Sequence, residues 1–212
     1  MYEKYGKRTL DIVLAAIAII VFTFPMIVVA VWVKIDSKGP ALFKQLRYGK
    51  NQKHFKVYKF RTMTIEAPSD MPTNAFKDAG AHITRSGKIM RKLSLDELPQ
   101  FFNVLNGTMS FVGPRPVILR ETHLIELRDL VGANDVRPGI TGWAQVNGRD
   151  ELNDVMKARL DGEYIARLSL KMDVRCLAMT LWAVVSIKGN RDGHEPTNDV
   201  LALDSQLVID EG

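Results

Sequence analysis

Ile12 to Val33 reads IVLAAIAIIVFTFPMIVVAVWV, 22 residues without a charge. A helix needs about 20 apolar residues to cross hydrocarbon, so this run predicts a chain that lives at a membrane. A cleaved signal peptide is the competing reading, helped by Lys4, Lys7 and Arg8 and by Val28-Val29-Ala30 as a cleavage site. Its apolar stretch would span only about 7 to 15 residues. Pro25 stands near the middle, where it removes a backbone donor and is expected to break or kink the helix. Lys4, Lys7 and Arg8 precede the run and Lys34 and Lys38 follow it, so both flanks carry the charge of a cytoplasmic side. Two positive flanks around a proline predict a helix that enters and returns rather than one that spans. Near the other end, the uncharged stretch from Cys176 to Ile187 is too short to span. It reads as a core helix, or as an interfacial one carrying Trp182 between Arg175 and Lys188.

The 212 residues suit one domain with an attachment, and 46% hydrophobic content excludes a disordered polyelectrolyte. The net charge of +5 conceals a split. After Arg191 come six acidic residues and no lysine or arginine, so the body before it carries +11. Such a body favours anionic company: lipid headgroups, nucleic acid or phosphorylated substrates. The single Cys176 excludes an intrachain disulfide.

Ala41 to Tyr48 and His54 to Met63, around Gly49-Lys50-Asn51, read as a β-hairpin. Alternation places Lys59 and Arg61 on one face, Tyr58 and Phe60 on the other. Nine Lys/Arg against Asp36 alone occupy Lys34 to Met63. Interleaved with aromatics they resemble a single-strand nucleic-acid platform, but beside a membrane segment a headgroup- or phosphate-facing surface is the better reading, and no nucleic-acid partner is expected. Ala67 to Gly80 reads as a loop. Helices are expected over Ile83 to Arg91, Leu95 to Leu105, Val117 to Val131, Asp154 to Ser169 and Asp173 to Ile187. Arg137 to Gly142 reads as a turn-rich loop, Asn147-Gly148 as a hairpin-type turn, and the acidic end as a loose tail.

The phosphate-loop, dinucleotide and zinc signatures are all missing, and His54, His82, His123 and His194 are scattered. The sharpest chemical feature is Leu93-Ser94-Leu95-Asp96-Glu97-Leu98-Pro99-Gln100. As a capping box, Ser94 would pair with Glu97, but Pro99 lacks the amide that register requires. A helix beginning at Asp96 or later puts both carboxylates at its positive end, favouring their ionised forms. Adjacent helical residues point about 100° apart, so the pair is suited to divided labour rather than to a shared proton. An ordinary acidic cap remains the alternative. In Gly113-Pro114-Arg115-Pro116 two prolines stiffen the loop around one arginine, as positioning a guanidinium against a phosphate would require; a solvated loop arginine is the other reading.

These segments, in their order, resemble one family: Lys7-Arg8, the apolar run with Pro25, Tyr58-Lys59-Phe60-Arg61-Thr62-Met63, Leu93 to Gln100, Asn103-Val104-Leu105, Met109 to Pro116, and Arg137 to Arg149. The chain is similar to the bacterial sugar transferases, the small monotopic phosphoglycosyl transferases, over about Tyr5 to Lys188. The resemblance implies an α+β, predominantly helical fold: an N-terminal re-entrant membrane helix, a small β-hairpin, and amphipathic interfacial helices around a cytosolic-face active site. It divides the chain into a membrane helix with basic flanks (1–38), a catalytic domain (39–190) and an acidic tail (191–212). It further implies transfer of a sugar-1-phosphate from a UDP-sugar to undecaprenyl or another polyprenyl phosphate, with release of UMP. The scheme the resemblance implies is ping-pong, with Asp96 as the nucleophile and Glu97 holding Mg²⁺. Lys59, Arg91 and Arg115 match the family's phosphate-binding cations, and Arg137 is a weaker candidate for nucleotide or phosphate contact. The implied place is the bacterial inner membrane, with the phospholipid bilayer as a further expected partner. One departure is Phe24, where small relatives often carry Ser before the proline; Thr23 or a distant donor is expected to satisfy the freed carbonyls in its place. A homo-oligomer is left open, since amphipathic helices can cover their faces with lipid or with another copy. The rivals are a membrane-tethered anion-binding protein without chemistry and an inactive accessory paralogue. The sugar itself is not legible.

Overall fold

The computed structural model describes residues 2–68, 79–148 and 151–185. The acidic tail, most of the loop expected between Ala67 and Gly80, Arg149, and the end of the last expected helix lie outside the described residues.

The apolar run lies within one helix, α1 (Lys7–Asp36), preceded by a single wider turn over Tyr2–Gly6. It is long and apolar enough to cross a membrane, and only 17% of its most apolar window is buried, so it is not the core helix of a soluble protein. What it buries lies toward its two ends. Asp11 and Ala15 seat on the body near one end, Met26, Val29 and Val33 near the other. Ile17, Ile20, Val21 and Phe24 between them are exposed, Ile20 and Phe24 by about three quarters. Pro25 lies inside the helix, with helical structure on both sides of it. Proline costs one backbone bond, to the Val21 carbonyl. The Thr23 hydroxyl donates to the Ile19 carbonyl at 2.6 Å, so it does not serve the carbonyl that proline frees.

Two polar anchors fix the N-terminal half. Asp11, buried within α1, accepts from the Ser110 hydroxyl and the Phe111 amide, each at 3.0 Å. Arg8 donates to the carbonyls of Val104 and Leu105 at 2.6 and 2.9 Å. A third anchor is Asp173, which accepts from Tyr164 (2.7 Å), Tyr2 (2.5 Å) and Lys7 (2.6 Å) and so ties the chain's beginning to its last helix. Asp11→Ala strands a buried amide and hydroxyl, and is expected to lower stability by about 1–3 kcal/mol. Thermal unfolding in detergent measures it; an unchanged midpoint contradicts the anchor.

The hairpin forms as expected, with β1 (Leu42–Tyr48) antiparallel to β2 (His54–Phe60). Its turn places Asn51 and Gln52 in left-handed backbone at φ 52° and 61°. Then follow α2 (Ala79–His82), α3 (Arg85–Leu93), a tight turn over Leu95–Glu97, and α4 (Gln100–Leu105). Phe55 and Val57 of β2 join Ala15, Val104 and Met109 in one core cluster, and Phe60 joins Met26, Val29, Val33, Met90 and Leu98 in another. Both clusters wedge α1 against the hairpin and α4.

The stretch expected as a turn-rich loop contains a strand. β3 (Ser110–Val112) pairs in parallel with β4 (Gly139–Thr141). A Cβ on Gly139 would stand 2.2 Å from the Gly113 nitrogen, and one on Gly142 2.0 Å from the Gly113 oxygen; the glycines let two backbones touch. α5 (Thr122–Leu130), α6 (Trp143–Val146), α7 (Asp154–Ala166) and α8 (Leu170–Val185) complete the body. The expected hairpin turn at Asn147-Gly148 is instead the end of α6, where Asn147 caps the helix with its side chain on the Trp143 carbonyl. Cys176 is buried on α8 while Leu181 and Trp182 stand 68% and 74% exposed, so that helix is core at its start and open toward its end.

Candidate active site

β2 and the turn over Leu95–Glu97 bring the central residues together. Asn103 of α4 is the staple: its side-chain nitrogen donates to the Lys56 carbonyl at 2.8 Å and its oxygen accepts from the Tyr58 amide at 2.9 Å. Two bonds to β2 therefore fix the turn before α4 against Lys59. The Lys59 ammonium donates to Glu97 at 2.7 Å and stands 4.0 Å from Asp96.

Ser94 bends the chain into that turn from left-handed backbone, φ 54°, so no capping box forms. The carboxylates also do not open a regular helix, because α4 begins at Gln100 after Pro99. The expectation that a helix end favours their ionised forms is overturned for Asp96. Its side chain is 13% exposed, and burial, with Glu97 adding, pushes its carboxyl up to about 6 against the pull of Lys59 and Arg91. Desolvation of a charge outweighs a short turn's dipole.

Arg91 reaches the site from α3. Thr84 caps that helix by accepting from Gly87, Asp36 accepts from the amide and hydroxyl of Ser86, and Arg91 donates to the Thr62 hydroxyl at 3.0 Å. Arg115 sits on a loop whose carbonyls are all held. Pro114 accepts from the Gly139 amide, Arg115 from Arg128, Pro116 from Arg47 and Val117 from the Tyr48 amide, at 2.8 to 3.2 Å. The stiffness expected of two prolines is thus reinforced from four directions, and the Arg115 side chain projects, exposed, with no partner among the described residues. Arg115, Lys59 and Glu97 line one shallow cleft together with Arg47 and Gln100.

Two cations go elsewhere. Arg137 donates to the Gly107 carbonyl at 2.8 Å, beside Arg8, and does not line the cleft. Arg61 does not share a face with Lys59. β2 ends at Phe60, and Arg61 turns inward to bond the carbonyls of Ser37, Lys38 and Pro40, clamping the exit from α1.

Arg47 and Gln100 were not singled out from sequence. The register pairs Phe43 with Lys59, Gln45 with Val57 and Arg47 with Phe55; residues opposite one another share a face, so applying alternation to β1 would have put Arg47 on the face of Lys59. No cluster of three metal-ligating side chains occurs among the described residues. Two adjacent carboxylates facing one close lysine nonetheless fit Mg²⁺, which commonly takes one or two carboxylates and completes its shell with substrate phosphates and water.

The chain is matched over residues 2–187 by the model of a family described as bacterial sugar transferase. The chain belongs to the bacterial sugar transferase family. Among curated bacterial sugar transferases, it is 41% identical over 194 residues to a UDP-glucose:undecaprenyl-phosphate glucose-1-phosphate transferase of Xanthomonas campestris pv. campestris, covering 88% of this chain and 40% of that protein. It is 40% identical over 199 residues to a UDP-N-acetylgalactosamine-undecaprenyl-phosphate N-acetylgalactosaminephosphotransferase of Aeromonas hydrophila, covering 87% and 45%. An uncharacterized sugar transferase of Bacillus subtilis matches at 39% over 197 residues, 92% of this chain and 93% of that protein. The chain thus spans less than half the length of the first two, and nearly all of the third.

Proposed function

We propose that this bacterial sugar transferase moves a sugar-1-phosphate from a UDP-sugar to undecaprenyl or another polyprenyl phosphate, releasing UMP, as a first membrane step of glycan assembly. The observation that carries this reading is the cleft lined by Lys59, Glu97 and Arg115, where Lys59 meets Glu97 at 2.7 Å and stands 4.0 Å from Asp96. A carboxylate attacking a diphosphate meets like charge, and cations on the non-bridging and leaving oxygens offset it. In the first step an Asp96 oxygen bonds the sugar-bearing phosphorus and the bond from that phosphorus to the UMP oxygen breaks. In the second, a polyprenyl-phosphate oxygen bonds the same phosphorus and the Asp96 oxygen leaves. Lys59 and Arg91 keep Asp96 available as an anion, and Arg115 faces the phosphates. Glu97, with Asp96 beside it, would hold Mg²⁺, which supplies charge neutralisation at the diphosphate.

The membrane part of the proposal is a re-entrant α1 with both ends on the cytoplasmic face of the inner membrane. A helix whose two ends are seated on one charged body, leaving its middle apolar and exposed, supports entry and return over crossing. Exposed Leu181 and Trp182 on α8 and Phe102 on α4 support further contact with the interface. Cysteines placed at Lys4 and Lys38 are expected to label from the same side in sealed cells; labelling from opposite sides overturns the topology.

The reaction is tested by incubating protein in lipid nanodiscs with undecaprenyl phosphate, Mg²⁺ and a panel of UDP-sugars. UMP is expected from at least one, with release falling to background in EDTA and returning with Mg²⁺. UDP as product, or silence across the panel, contradicts the reading.

A further inference from the structure

Arg137 opens a conspicuous loop yet lies outside the cleft, and its surroundings are those of a second cation. Its Nε donates to the Gly107 carbonyl at 2.8 Å. Arg8 reaches the same place from α1, one terminal nitrogen on the Val104 carbonyl at 2.6 Å and the other on the Leu105 carbonyl at 2.9 Å. Gly107 stands in left-handed backbone at φ 86°, and a Cβ there would lie 3.2 Å from the Arg8 guanidinium, so glycine leaves room for Arg8 beside it. These bonds do not use up the pair. A guanidinium carries five N–H groups; among the described residues Arg137 bonds through its Nε alone, and its terminal nitrogens have no partner. Both arginines are half-buried. Their charges repel, and Asp11 offsets less than that, its carboxylate already accepting from Ser110 and Phe111. An anionic oxygen in front of the pair takes up the free donors and relieves the repulsion.

The height of Arg8 in the membrane names the anion. It precedes Ile12, where the charge-free run begins, by about 6 Å of helix. The headgroup layer outside the hydrocarbon is about 5 to 8 Å deep on each side. The elements that carry Arg8 and the carbonyls it holds also expose apolar side chains, Leu10 on α1 and Phe102 and Leu105 on α4. Tyr5 is exposed just before them, an aromatic of the kind that settles at headgroup level. The geometry points to a phospholipid site in which Arg8 and Arg137 together bind the phosphodiester of one bilayer lipid at the foot of α1. This requires that α1 enter the bilayer, whichever way it leaves, and does not require the reaction proposed above. Neither arginine lines the cleft with Lys59, Glu97 and Arg115, where that reaction needs the polyprenyl phosphate, so the occupant is an ordinary phospholipid. The bound lipid joins α1, the end of α4 and the loop before β4, and the bilayer itself helps to hold α4 in place.

The test titrates the full chain in dodecyl maltoside, a detergent without phosphate, with dioleoyl phosphatidylglycerol, and reads the lipid-bound fraction by native mass spectrometry. Dioleoylglycerol, with the same chains and no phosphate, measures apolar binding alone. The intact protein is expected to hold the phospholipid about 10- to 100-fold more tightly than the diacylglycerol, the worth of charge-assisted hydrogen bonds. Arg137→Gln, whose amide can still donate to the Gly107 carbonyl, is expected to lose about tenfold or more in phospholipid affinity and nothing in diacylglycerol affinity. Arg137→Lys keeps the charge without the fork and falls between. Phospholipid affinity in Arg137→Gln within about twofold of the intact protein, less than one ordinary hydrogen bond, overturns the site and leaves both arginines as caps on the end of α4. Equal affinity of the intact protein for the two lipids overturns it as well, and that comparison needs no variant to fold. Undecaprenyl phosphate is titrated in parallel: a loss confined to it in Arg137→Gln overturns the phospholipid and assigns the pair to the substrate lipid. Cysteine labelling reports the topology of α1 and UMP release reports the reaction, so failure of either is distinguishable from failure of the site.

Discussion

Asp96→Asn is expected to lower UMP release by about four orders of magnitude or more, the scale on which removing a nucleophile acts, while making the protein more stable. The amide keeps the carboxylate's shape but cannot form the bond to phosphorus. It also carries no charge, and the charge is what this position tolerates poorly. Burial holds the Asp96 carboxyl at about 6, above its unfolded value, so the ionised form costs stability at neutral pH. For an acid with a raised folded pKa, that cost is present above about pH 6 and disappears below the unfolded pKa near 4. Removing the charge is therefore expected to add on the order of 1–3 kcal/mol at pH 7, read by thermal unfolding in EDTA. Lys59 keeps its closer partner Glu97 at 2.7 Å, so the substitution leaves no orphaned cation. An active Asp96→Asn protein contradicts the nucleophile; an inactive and less stable one contradicts the account of burial.

The largest effect on folding is expected at Arg128. Arg128 and Asp161 are 3% and 1% exposed, joined at 2.6 and 2.8 Å, and one Asp161 oxygen already has no partner. Burial raises the Asp161 pKa, and Arg128 opposes that rise. Arg128→Met removes the partner and leaves a buried carboxylate unpaired, at a cost of about 3–5 kcal/mol. In a chain of this size that lowers the unfolding midpoint by roughly 10 °C. Since Arg128 also donates to the Arg115 carbonyl at 2.8 Å, activity falls in the fraction that remains folded. Adding Asp161→Leu removes the stranded charge and is expected to recover much of the loss, because apolar replacement of a whole buried pair is often neutral. A double variant no better than Arg128→Met contradicts the buried charge as the cause.

Much of the frame was readable because periodicity and charge report burial directly. The hairpin, the long apolar helix and the helices around Asp154 and Asp173 follow from alternation, a charge-free run and helical spacing. The neighbourhood of Asp96 and Glu97 followed from the incompatibility of Pro99 with a Ser94 cap. What was not readable depended on partners distant in sequence. β3 and β4 are three residues each, too short for alternation to register, and they pair because Gly113, Gly139 and Gly142 allow backbones to touch. Arg61 looked like a companion of Lys59 because alternation was carried one residue past the end of β2. Arg137 sits in a conspicuous motif yet serves the Gly107 carbonyl. Arg47 was hidden among nine cations until alternation is carried onto β1, and Gln100 among helix residues, where nothing local distinguishes a polar side chain that faces a cleft.

The central claim is a covalent sugar-phosphate carried on Asp96, and it is tested most directly by omitting the acceptor. Protein in nanodiscs free of polyprenyl phosphate is mixed with Mg²⁺ and a UDP-sugar labelled in the sugar. The account predicts UMP in proportion to enzyme, label retained on the protein at Asp96, and discharge of that label when undecaprenyl phosphate is added. No label on the protein, and no UMP until the lipid is present, would mean direct transfer between the two substrates and would contradict it.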